Sequence, residues 1–82
     1  MKRIRFEPSV PAEVRAIEQH AALAILRALH HYADTGEGNV KHLSGEFEGL
    51  LRLRAGNHRV IFEETADTIT VHRVAHRKQS YR

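Results

Sequence analysis

After a short alternating start, apolar residues recur every three or four positions through the first half of the chain and every second position through the rest. Lys2 to Phe6 puts Ile4 and Phe6 on one face and Arg3 and Arg5 on the other, the pattern of a half-buried strand. Pro8 ends that strand. Ser9 is an N-cap candidate, and Pro11 suits a first helical turn, where a missing N–H costs little. Val14 and Ile17, then Ala22, Ile25, Leu26, Leu29 and Ala33, form an amphipathic stripe that breaks at Glu18-Gln19-His20. A short first helix and a longer second one, over about 21–34, are therefore predicted. Thr35-Gly36-Glu37-Gly38-Asn39 is a charged, glycine-bearing stop.

Val40 to Leu43 reads as a short extended piece, followed by a turn at Ser44-Gly45-Glu46. In Leu51-Arg52-Leu53-Arg54-Ala55 apolar residues alternate with arginines. Gly56-Asn57 tolerates positive φ and predicts a tight hairpin into His58 to Glu63. Glu64 to Asp67 is the next turn, and Thr68 to Val74 is a strand rich in β-branched residues. The polar tail from Ala75 to Arg82 reads as irregular. The order β-α-α-β-β-β predicts an α+β domain, a small antiparallel β-sheet with two N-terminal helices packed on one face.

Length and composition narrow the function classes. At 82 residues the chain reads as a single domain over 1–82, able to bury about 60% of its unfolded surface. That excludes a two-domain enzyme with a deep, enclosed cavity. With no cysteine, disulfide scaffolds and cysteine zinc sites are excluded as well. No apolar run approaches the roughly 18 residues of a membrane span, and none of signal-peptide length follows the basic start. The expectation is a cytoplasmic protein with no membrane partner.

Charge is unevenly placed. Residues 1–49 carry six Lys and Arg against seven Asp and Glu; residues 50–82 carry seven basic residues against Glu63, Glu64 and Asp67. A concentrated positive field attracts polyanions, nucleic acid first among them, although a solvated basic surface has the same composition. Strand alternation points Arg52 and Arg54 to one face, about 7 Å apart, with Leu51, Leu53 and Ala55 facing the helices. A hairpin at Gly56-Asn57 brings Arg59 beside them. Guanidinium groups gathered there match phosphate oxygens in a bidentate fork, unless Glu63, Glu46 or Glu48 neutralises them across the sheet.

Histidine, with seven copies, is the other surplus. His30 and His31 diverge by about 100° on a helix, and His72 and His76, on one strand face, lie about 13 Å apart, so no metal site is expected. His58 and His76 each neighbour an arginine and can exchange a proton near neutral pH, which arginine cannot; the alternative is two exposed histidines with no role. Tyr81, among Arg77, Lys78 and Arg82, combines an aromatic ring with cations, as stacking on an unpaired base requires.

Three segments taken together resemble the RelE/ParE toxin superfamily. They are Lys41-His42-Leu43-Ser44-Gly45, then Gly49 through Leu51-Arg52-Leu53-Arg54-Ala55-Gly56-Asn57-His58-Arg59 to Phe62, and Val71-His72-Arg73-Val74-Ala75-His76-Arg77 to Tyr81-Arg82. They lie close to the K-x-L-x-G, G-L-[YF]-R-L-R-x-G-[DN]-[YH]-R-V-[IL]-[YF] and R-V-x-H-R-x-x-x-Y-R patterns that its members commonly carry, over about half the chain. The resemblance implies a RelE-like fold and a type II toxin of the RelE branch. Such a toxin is a ribonuclease that cleaves mRNA in the ribosomal A site and is held inactive by a cognate antitoxin. Its 2′-hydroxyl attack, giving a 2′,3′-cyclic phosphate, needs no metal or cofactor.

Carried over by position, Arg59 corresponds to the phosphate-stabilising arginine, Arg77 to the one serving the leaving group, and Tyr81 to the stacking tyrosine. Arg52 and Arg54 stand where the family has basic site residues, and Arg73, Lys78 and Arg82 extend the RNA-binding surface. Where a lysine acts as general base, this chain has arginines that hold their protons too tightly. His76 or His58 is therefore expected to take the proton. A gyrase-inhibiting ParE-like toxin and a catalytically inactive binding module are the alternative readings.

Overall fold

The computed structural model describes residues 1–76. Strand β1 (Arg3–Phe6) leads into α1 (Val10–Arg15) and α2 (Gln19–Thr35). A meander follows, made of β2 (Val40–His42), a 3-10 turn at Gly45–Phe47, β3 (Leu51–Ala55), β4 (His58–Glu64) and β5 (Thr68–His76). The helices pack on one face of a five-stranded sheet ordered β1-β5-β4-β3-β2. The α+β architecture and the helix pair are as predicted. Two features differ. Val40–His42 is a true edge strand, paired with β3, and β1 runs parallel to β5 while all other pairs are antiparallel. Each hairpin moves the chain one place across the sheet, so β5 ends between β4 and the edge strand β1, pointing the same way as β1.

The helices part at residues 16–18, so that of the predicted break only Glu18 lies outside α2. Glu18 caps α2, its carboxylate accepting from the backbone N–H of His20 at 3.0 Å and of Ala21 at 3.2 Å. This satisfies N–H groups that a helix start leaves without partners. At the other end Gly36, with φ 79°, closes α2 by donating its N–H to the Tyr32 carbonyl at 2.8 Å. Ser9 sits at the predicted cap of α1 but makes no side-chain cap bond.

Ile25, Leu29 and Ala33, four residues apart on α2, lie against Leu51, Leu53, Val60, Phe62, Ile69, Val71 and Val74 of the sheet, with Val10 filling the α1 side. Phe62 meets Tyr32 edge-on, ring centroids 5.5 Å apart. Tyr32 also donates its hydroxyl to Glu64 at 2.6 Å, and Lys2 Nζ pairs with the same carboxylate. One acid thus joins the chain start, α2 and β4. Burial acts to raise the Glu64 pKa, but the hydrogen bonds from Lys2 and Tyr32 and the charges of Lys2 and His42 outweigh it and hold the carboxyl below its usual range. Among the described residues no helix is long and apolar enough to cross a membrane.

Candidate nucleic-acid interface

The helices cover one sheet face and leave the other open. Core residues Leu51, Leu53, Val60 and Phe62 fix which side chains point each way, because strand side chains alternate. Arg52 and Arg54 therefore share the open face. Arg54 lies directly opposite Arg59, and Arg52 opposite Ile61, which in turn faces Arg73. Lys41, in register with Arg52 on the edge strand, extends the same row. On the far side of the sheet Arg3 and Arg5 are in register with Thr68 and Thr70 and join the open face too. Sequence reasoning grouped Arg52, Arg54 and Arg59 correctly. It did not place Lys41, Arg3 and Arg5 with them, because strand order is not written in hydropathy.

Within this face Arg52 is unusual. Only 9% of it is exposed, its Nε is buried without a hydrogen-bond partner, and among the described residues no other charged side chain is so buried. A buried, unsatisfied N–H costs about 1–3 kcal/mol, more on a charged group. Ile61 beside it is 4% exposed although it stands outside the helix-side core, as expected where arginine stems lie along apolar surface. Among the described residues neither Arg52 nor Arg54 forms an ion pair, and Glu63 instead faces His72, Oε1 to Nε2 at 3.3 Å.

His58 and His76 occupy a different place from the one expected. They are register partners, ring centroids 5.3 Å apart, and share the helix-side face with Val60 and Val74. Burial first, then the neighbouring His76, lowers the His58 pKa. The pair sits in a cleft of about 560 Å³ formed by Glu13, Ala16, Ile17 and Glu18 against the strand Arg73–His76. Alternation places both rings on the face opposite Arg52, Arg54 and Arg59, although Arg73 also lines this cleft.

His72 and His76 do not share a face, contrary to the simple alternation read from the sequence. The register slips between Ile61 and Phe62, so that Arg73 pairs with Ile61 but Val71 with Phe62, leaving His72 as the extra residue of a bulge. Val71 and Val74 are both core residues, and the two positions between them fall on the open face. Their spacing of three within a strand was the available signal. Arg77, Lys78, Tyr81 and Arg82 lie outside the described residues.

The family model described as ParE toxin of type II toxin-antitoxin system, parDE, matches residues 4–81. No curated protein matches the chain. Among solved structures the fold is similar to RelE in a RelB-RelE antitoxin-toxin complex from Methanococcus jannaschii, at 23% identity, TM-score 0.76 and 94% coverage of each chain. It is similar to the toxin-antitoxin complex RelBE2 from Mycobacterium tuberculosis, at 19% identity and TM-score 0.81, over 92% of this chain and 96% of the other. YafQ from E. coli BL21(DE3) aligns over the whole of both chains at 12% identity and TM-score 0.76.

Proposed function

Because the chain belongs to the ParE toxin family of type II toxin-antitoxin systems, we propose that it is a metal-independent endoribonuclease that cleaves mRNA in the ribosomal A site and so stops translation in the cytoplasm. The observation that carries this reading is Arg52, buried with an unsatisfied Nε on an open sheet face beside Arg54 and opposite Lys41. A phosphodiester supplies acceptor oxygens to Arg52 and Arg54. The nucleophile is the 2′-hydroxyl next to the phosphorus, so the protein has only to hold the backbone, offset charge and move protons.

In this reading Arg59 stabilises the phosphorane charge, while Arg52, Arg54 and Arg73 hold the backbone. Arg77 serves the leaving 5′-oxygen, Tyr81 stacks on a base, and Lys78 and Arg82 add phosphate contacts; these roles rest on the motif resemblance. His58 and His76, which the sequence nominated for proton transfer, stand on the helix-side face. The inhibitory partner is a cognate antitoxin, by analogy with the RelB-bound relatives. The ParE designation of the matching family favours a second reading, inhibition of DNA gyrase.

Cell-free translation separates the two. Codon-dependent cuts whose 3′ ends carry a cyclic phosphate are expected. Intact mRNA together with blocked gyrase supercoiling overturns the nuclease in favour of the gyrase inhibitor, and intact mRNA with normal supercoiling leaves a binding module.

A further inference from the structure

Resting on the RNA-cleavage reading, we propose that His72 is the group that takes the proton from the attacking 2′-hydroxyl. Three observations converge on it. The bulge in β5 turns His72 onto the open face next to Arg73, where regular alternation would have given that face only one of the two. By register it lies three positions along β5 from Ala75, the partner of Arg59, or roughly 10 Å, a gap that two long side chains and a phosphodiester fill. And the ring is supported: Nε2 lies 3.3 Å from Glu63 Oε1 and Nδ1 lies 3.5 Å from Glu7 Oε1. The arginines of the row keep their protons, His58 and His76 stand on the opposite face, and Lys41 lies on the edge strand β2, two strands away from Arg59.

The roles follow from the two distances. Glu63, the closer acid, accepts Nε2–H and fixes the tautomer that leaves a lone pair on Nδ1. Nδ1 takes the 2′-O–H proton as the 2′-oxygen bonds to phosphorus and the bond from phosphorus to the 5′-oxygen breaks. The 5′-oxygen leaves with a proton drawn from water, and Glu7 steadies the imidazolium until it returns its proton to solvent. No oxidant, reductant or further reactant enters. The ring nitrogens face Glu7 after β1 and Glu63 on β4, and Arg5 on β1 and Arg73 on β5 share the open face with it, two acids and two cations. Its side chain is 32% exposed, open enough for substrate to reach.

The test is single-turnover cleavage on ribosomes programmed with a defined mRNA, with the full chain freed from its antitoxin. His72→Gln is expected to cut at least about 100-fold more slowly, the usual size of a general-base contribution. It should also lose the acidic limb of the wild-type pH–rate profile while melting close to the wild type. His30→Gln, on the exposed side of α2, should cut at the normal rate. Free imidazole should restore part of the activity of His72→Ala, a rescue that a merely structural role does not produce. A His72→Gln rate within threefold of wild type, an unchanged acidic limb, or no rescue by imidazole overturns the assignment and leaves the nuclease reading standing. A wild-type protein that cuts no RNA overturns both.

Discussion

At the scale of single residues, side chains on the open face divide from those that hold the fold. Arg59 points away from the helix-side core, so Arg59→Ala should abolish toxicity in a growth assay while the melting temperature moves by less than about 4 °C, the size of a sub-kcal/mol change in a domain this small. A loss of folding in step with the loss of toxicity would assign Arg59 to the scaffold instead. Tyr32 is the opposite case. Burial, then the hydrogen bond to Glu64 and its charge, pushes the Tyr32 phenol up from 10.0 to about 12. Its protonated form is thus favoured by folding. The associated stability is complete below pH 10 and disappears as pH rises from 10 to about 12. Denaturant melts across that range should show the wild type losing stability that Tyr32→Phe, which has no proton to lose, does not. Parallel decline of both proteins would place the alkaline sensitivity elsewhere.

Elements show how two kinds of information share this chain. Gly56 opens the β3–β4 hairpin at φ 62°, with no atom near a Cβ built there, so strain alone opposes a side chain. Gly56→Ala should cost about 1 kcal/mol by denaturant titration, the penalty for an L-residue in that region; a neutral result would mean that the turn relaxes to a different type. This hairpin was legible in the sequence because a two-residue turn signal and period-two flanks are local, and it was enough to place Arg54 against Arg59. The helix pair was legible for the same reason, through Ile25, Leu29 and Ala33. What local pattern does not carry is pairing between distant segments. Arg3 and Arg5 reach the open face only because β1 joins β5 in parallel, and Lys41 only because Val40–His42 pairs with β3. The bulge is an intermediate case. Val71 and Val74 announced it by their spacing, yet strict alternation placed His72 with His76 and on the wrong side of the sheet.

For the whole molecule the consequence is segregation of charge by face. A formal net charge of only +3 hides a sheet surface carrying Arg3, Arg5, Lys41, Arg52, Arg54, Arg59 and Arg73, because the acids are placed elsewhere. Glu64 is held by Lys2 and Tyr32, Glu18 caps α2, and Glu13 accepts the Val74 N–H at 2.8 Å, while Glu7 and Glu63 face His72. A surface of this kind binds RNA largely by releasing condensed cations, so its affinity falls as salt rises, by about 0.7 in the logarithmic slope for each single-strand phosphate neutralised. If Arg54 and Arg59 each hold one phosphate, the double variant Arg54→Ala/Arg59→Ala should bind a short single-stranded RNA with a slope shallower by about 1.4. Replacing Arg15 and Arg27, on the helices, should leave the slope where it was. Fluorescence anisotropy over a salt series measures both. Equal changes from the two double variants would mean that RNA meets a diffuse positive cloud and not one face of the sheet.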